Sequence, residues 1–212
     1  MVEVGLFREF FGEVLSSRTV RPSFREGDVL GVLLLLAEEP VGRYAIRDVL
    51  GLGDAAARTL LRRLQRLGLV RPAGRKGHVL TDRGRMVAEK LMGYIAEFRR
   101  LPESFLSVGR CDYGFRLRGL SHLISGGVEE RDLAVSGGGR GATTIIVKSG
   151  KLVVPSVKEL DDWEEAFLRS FFKLEEGDVV LVVSAEDCPS ALRAGLSVAA
   201  KLIERAESED LA

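Results

Sequence analysis

Asparagine is missing from the 212 residues altogether and glutamine occurs once, as Gln65, while arginine and glutamate are plentiful. Such usage arises when thermolabile amides are avoided at high growth temperature, or when a genome is rich in GC. Cysteine is scarce too. Cys111 and Cys188 stand far apart with no C-x-x-C spacing, which indicates neither a disulfide scaffold nor a zinc knuckle; both read as small buried hydrophobes. The only histidines, His78 and His122, are each isolated and expected to be structural. Phosphate loop, H-E-x-x-H and G-x-S-x-G motifs are all absent, so no catalytic residue, metal site or cofactor is expected. Long apolar runs are lacking as well: the longest, "VLGVLLLLA" at 29–37, is too short to span a bilayer. The first residues carry no basic flank or small-residue cleavage site, so a cytoplasmic location without membrane contact is expected.

What is present is a segregated charge. The formal net charge is zero, yet residues 40–100 hold 14 basic and 5 acidic side chains. Residues 1–39 and 101–212 are both acidic on balance. A local excess of nine cations is the electrostatic footprint of a protein that meets a polyanion.

The same segment reads as helices with tight turns. "VGLFREFFGEVL" (4–15) is an additional N-terminal helix, expected to pack on the helices after it or across a dimer. Asp28 is expected to cap a helix with Val29, Val32, Leu33 and Leu36 at helical spacing, stopped at Pro40. A second helix covers about 43–50, and Gly51 and Gly53 mark a turn. Asp54 is expected to cap a third helix to Leu67, with Gly68 beyond its end. On it Leu60, Leu61, Leu64 and Leu67 form an apolar stripe opposite Arg58, Arg62 and Arg66. This order is a helix-turn-helix, whose third helix enters the DNA major groove by its N-terminal turn. Ala55, Ala56 and Ala57 would let that turn approach the groove floor. Arg58 would then reach a guanine edge, while Arg62, Arg63 and Arg66 meet phosphates. "LVRPAGRKGHVL" comes next as a hairpin with Arg75 and Lys76 at its tip, the position of a wing. Thr81 caps a fourth helix over about 82–99, including Ile95 and Phe98, whose apolar side is core or dimer seam.

The stretch "LLRRLQRLGLVRPAGRKGHVLTDRGR" resembles prokaryotic winged-helix transcription regulators: a leucine-rich recognition helix, glycine, strand, wing and L-T-x-x-G-R. The resemblance covers about residues 26–100 and implies the module and not its target genes. A homodimer is expected, because such regulators usually read paired half-sites.

Beyond Pro102 the texture changes. "YGFRLRGL", "ATTIIVK", "KLVV" and "GDVVLVVSAE" read as strands, the last as a continuous apolar strand of the buried kind. "GVEERDLAVSG", "VKELDDWEEAFLRSFF" and "CPSALRAGLSVAAKLIERAE" read as helices, with Asp187 as the cap of the last. The fold class is therefore α+β or α/β: an N-terminal helix (1–25), a winged helix-turn-helix domain (26–100) and a small α/β domain around one sheet (101–212). In "RDLAVSGGGRGATT", Gly137, Gly139 and Ala142 formally match a dinucleotide fingerprint but follow a helix and open a strand, which rejects it. The loop is either a flexible turn or a backbone nest for an anion, with Arg140 and the hydroxyls of Thr143 or Thr144. "RDLAVSGGGRGATTIIVKSGKLVVPS" is similar to a segment of archaeal proteins that join a winged helix to a C-terminal domain of unknown function. Arg131, Asp132, Ala134, Gly141, Ala142, Thr143, Thr144, Gly150 and Pro155 carry that similarity.

The expected function is a DNA-binding transcription regulator, with double-stranded DNA as partner and a C-terminal half that senses a small-molecule effector or mediates oligomerisation. Candidate effector-binding residues are Arg131, Asp132, Gly139, Arg140, Gly141, Thr143 and Thr144. The alternatives are an enzyme with an accessory winged helix, whose loop 137–141 binds a phosphorylated substrate, and an adaptor contacting protein or RNA.

Overall fold

A computed structural model describes residues 6–16 and 22–209. The chain forms two compact units, one comprising residues up to Met92 together with Ile203 onward, the other Gly93–Leu202. The division thus falls before the expected boundary at 100. The last turns of the C-terminal helix belong to the first unit.

The first unit is mainly helical. Helix α1 (Leu6–Leu15) is followed by α2 (Glu26–Glu38), α3 (Arg43–Leu50) and α4 (Asp54–Arg66). Residues 4–5 of the expected N-terminal helix lie outside the described residues. Helix α2 is buried along nearly its whole length from Gly27 to Leu36, as expected of a helix that is apolar all round. Phe7, Phe11, Ile46, Leu50, Leu60, Leu64 and Leu69 are buried as well, each at most 1% exposed. Asp28 is not the N-cap residue of α2, which is Arg25, but the third residue of the helix, whose side chain reaches back to the N-cap as in a capping box. It lies in the first turn, almost fully buried, and accepts the Arg25 N–H at 2.8 Å. Asp54 is likewise inside α4, where Gly53 is the capping position. At the other end of α4, Gly68 takes φ +68° and Leu69 N–H closes on the Leu64 carbonyl at 2.9 Å, the expected left-handed termination.

An antiparallel hairpin comes next, β1 (Val70–Pro72) and β2 (His78–Leu80), closed by a single 3₁₀ turn at Gly74–Lys76. Val41, between α2 and α3, bridges to His78 by two backbone hydrogen bonds of 3.1 and 2.9 Å, adding a third short strand segment. Thr81 caps α5 (Asp82–Tyr94), accepting the Gly84 N–H at 3.1 Å.

The expected helix over 82–99 ends at Tyr94. From Ile95 the backbone becomes β3 (Ile95–Leu101), an edge strand paired with β4 (Cys111–Leu117). The residues "IAEFRR" suit either state locally; pairing with β4 decides. The second unit then adds α6 (Val128–Ser136), β5 (Gly141–Lys148), β6 (Lys151–Val154), β7 (Lys158–Glu159), α7 (Asp162–Phe171), β8 (Val179–Ala185) and α8 (Cys188–Glu209). Its sheet runs β3-β4-β8-β5-β6-β7 and every pair is antiparallel, so the fold is α+β. Of the two classes that the sequence leaves open, α+β and α/β, the antiparallel ladders give the first. Strand β8 is apolar on both faces because helices cover both. Leu168 and Phe172 pack against Val180, Val182, Ile145 and Leu101 on one face. Helix α8 lies against Phe115 on the other, so closely that a Cβ on Gly195 would stand 2.0 Å from the ring.

The two cysteines form a disulfide, Cys111–Cys188, with Cα atoms 5.2 Å apart. This corrects the expectation of unpaired thiols. The register of β4 on β8 sets Cys111 opposite Ala185, three residues before Cys188, and so brings together positions 77 apart in sequence.

Candidate functional site

The first unit carries exposed cations on α4, at the hairpin tip and on α5, where Arg83, Arg85 and Lys90 stand. Helix α4 keeps Leu60, Leu61 and Leu64 inside, which leaves Arg58, Arg62 and Arg66 exposed in a row four residues apart. Arg75 and Lys76, in the 3₁₀ turn, are exposed as well.

Three of the expected contact residues behave otherwise. Ala56 and Ala57 are buried against the helical core, leaving Ala55 as the bare exposed position of the first turn. Arg63 is half-buried: Nη1 donates to the Val14 carbonyl at 2.6 Å and the guanidinium lies 5.3 Å over the Phe24 ring. It ties α1 to α4 and is not a free phosphate-facing cation.

Arg58 is exposed but not unpartnered. Its Nη2 donates to Asp54 Oδ2 at 2.7 Å, one helical turn back. The other carboxylate oxygen, Oδ1, lies 3.2 Å from Nε of Arg43 on α3. Those two atoms attract as charges without hydrogen-bond alignment, and each is buried with no hydrogen-bond partner. Arg43 in turn donates from Nη2 to the Tyr44 hydroxyl at 3.1 Å and stacks 4.9 Å over that ring, with Arg47 5.2 Å away. Tyr44 is 60% exposed. Sequence reasoning misses this chain of Tyr44, Arg43, Asp54 and Arg58. Its only local signals are the i, i+4 spacings of Arg43 with Arg47 and of Asp54 with Arg58.

His78 sits beside Arg43 where Val41 meets β2. Burial lowers the pKa of its imidazole below the usual 6.5, and the positive charge of Arg43 lowers it further, against a hydrogen bond at Val41.

In the second unit, the candidate effector residues do not converge. Arg131 and Asp132 pair with each other at 3.0 Å on an exposed face of α6. Arg140 pairs with Glu186 at 3.3 Å. Thr143 and Thr144 are adjacent on β5 and therefore face opposite sides of the sheet. The glycine loop is no anion nest either. The N–H groups of Gly137, Gly138 and Gly139 return to carbonyls of α6, and that of Arg140 donates to Ser184 at 2.7 Å. Gly139 and Gly141 serve close packing, against Ala134 and Val108 respectively.

A separate polar cluster, sharing none of the candidate effector residues, lies at one end of the sheet. The buried Asp112 carboxylate accepts hydroxyls from Ser107 and Ser184, and Ser184 Oγ accepts the Val108 N–H at 3.1 Å. Beside it a cavity of about 540 Å³ is lined by Arg100, Leu101, Gly109, Arg110 and Asp112. Its residues come from separate stretches of chain, which is why no sequence motif announces it.

Comparison with known proteins places these features in context. Residues 26–86 match the PH0730-like N-terminal domain, and residues 108–202 match a domain of unknown function, DUF4443. The solved structure of hypothetical protein PH0730 from Pyrococcus horikoshii OT3 superposes with a TM-score of 0.73 at 26% identity. The match covers 90% of this chain and 100% of that one. No curated protein matches. Among the described residues, no helix is long and apolar enough to cross a membrane.

Proposed function

We propose that residues 26–86, the segment matching the PH0730-like N-terminal domain, form a winged helix-turn-helix that binds duplex DNA, and that the protein is a non-enzymatic transcription regulator. The observation that carries this reading is the placement of the cations. Arg58, Arg62 and Arg66 line the exposed side of α4, and Arg75 and Lys76 stand at the tip of the hairpin after it. The left-handed Gly51 turn between α3 and α4 and the Val41–His78 bridge add support, because both suit a helix-turn-helix with a strand between α2 and α3. In this reading α4 enters the major groove. Ala55 gives close approach, Arg58 reads a base edge, Arg62 and Arg66 meet phosphates, and the hairpin is the wing. The second unit serves as the effector-sensing or assembly part of a homodimeric regulator.

The experiment is a salt series of binding between full-length protein and duplex DNA. The slope of log K against log salt is negative, and removing one cation that meets a phosphate reduces its steepness by about 0.9. The double variant Arg75→Ala/Lys76→Ala is therefore expected to lower it by about 2. A protein that does not bind DNA at low salt would overturn the proposal. An unchanged slope in the double variant would remove the wing from it.

A further inference from the structure

We infer that Asp54 is a positioning residue for base recognition: its carboxylate holds Arg58 so that the arginine reads a guanine and does not drop onto a phosphate. This rests on the DNA-binding reading above and adds to it a specificity determinant and the base that it selects.

The geometry is unusual for a surface ion pair. One carboxylate, in the first turn of α4, takes a guanidinium from its own helix at 2.7 Å and faces another from the preceding helix at 3.2 Å. Both arginine side chains and the acid are partly exposed, 54% for Arg58 and 40% for Asp54, so the pair stabilises the fold only weakly. For affinity alone the acid is a handicap, since it sets a negative charge on the face that a polyanion would approach. An acid in the first turn favours α4 through the helix dipole whichever way its side chain points; that its carboxylate is shared between two arginines is accounted for by orientation.

An arginine side chain carries large rotamer entropy and pairs readily with any phosphate oxygen. With one Nη2 hydrogen committed to Asp54, the plane of the Arg58 guanidinium is set. The remaining donors still present a two-donor edge, the match for O6 and N7 of guanine. Arg43 balances the charge on Oδ1 and is itself fixed by Tyr44. Two cations on one anion keep the local balance positive, so the acid orients Arg58 without making the site repel DNA.

The test is selection of full-length protein against a randomised duplex library, for wild type, Asp54→Asn, Arg58→Ala, the double variant Asp54→Asn/Arg58→Ala, and Glu89→Gln. Thermal unfolding checks that each variant folds. Wild type is expected to select guanine at a particular position. Asp54→Asn should lower that preference about tenfold, within the discrimination that a bidentate arginine–guanine pair supplies. Arg58→Ala should lose preference at the same position, and the two changes combined should do no more than Arg58→Ala alone. Glu89→Gln, an exposed acid on α5 with the same change of charge, should keep the preference. The inference is overturned if Asp54→Asn retains it, if the two variants act at different positions, or if all positions fade equally. Selection of no sequence by the wild type would sink the DNA-reading proposal and this inference with it. Selection by the wild type that Asp54→Asn leaves unaltered would overturn only the latter.

Discussion

Breaking the Cys111–Cys188 bond should lower stability by a few kcal/mol, and the structure allows the figure to be worked. The bond closes a loop across a sequence separation of 77 residues. The chain-entropy relation for a loop of that length gives roughly 4.5 kcal/mol at about 25 °C, against about 2–5 kcal/mol for loss of native disulfides in small domains. The cross-link lies within the second unit, Gly93–Leu202, and joins the first residue of β4 to the first of α8. For a unit of that size, 1 kcal/mol moves the melting temperature by about 4 °C, so a loss near 4 kcal/mol predicts a fall of roughly 15 °C. Calorimetry of the full-length protein, with and without a dithiol reductant, measures it. Cys188→Ser is the companion variant, because Cys188 is only half-buried and leaves a small cavity. A thiol titration of unreduced, denatured protein should find none. Two titrating thiols, or melting temperatures within a couple of degrees in the two redox states, would refute the reasoning.

Three further outcomes rest on particular contacts. Arg63→Ala should destabilise the first unit by about 1–2 kcal/mol in chemical denaturation, through loss of a charged hydrogen bond to Val14 and of the stack on Phe24, while leaving base preference in the selection unchanged. The Gly195→Ala substitution forces a methyl into the Phe115 ring and should cost about 1–3 kcal/mol, read as a lower denaturant midpoint. His78 resists protonation when folded, so its contribution to stability is complete above the unfolded value of 6.5 and is lost as pH falls from there through the lowered folded pKa. His78→Gln should therefore flatten the fall in melting temperature below pH 6.5 relative to wild type; parallel pH curves for the two proteins would contradict this.

The helices of the first unit are legible because each carries its instructions locally. An apolar stripe at helical spacing, a glycine past the end of α4 and Thr81 before α5 need no partner to be recognised, and all three stand in the structure. The strands β5, β6 and β8 are legible for the same reason, from β-branched runs bounded by glycine and serine. Assigning Asp28 and Asp54 to the N-cap is where local reasoning slips, since an acid in the first turn is favoured whether or not it is the N-cap residue.

What required the tertiary structure depends on residues remote in sequence. "IAEFRR" suits helix or strand by local preference and becomes a strand because β4 offers a ladder. The direction of β8 is likewise invisible in a strand covered on both faces. Ala56, Ala57 and Arg63 look like the neighbours they have on α4; burial of the alanines and capture of the arginine by Val14 and Phe24 come from how α4 packs. Composition and periodicity along the chain determine that a basic helical segment precedes a strand-rich one. Which arginines remain exposed, which is held by Asp54, and that two lone cysteines meet is decided by packing, because only the folded chain brings those distant groups within a few ångströms.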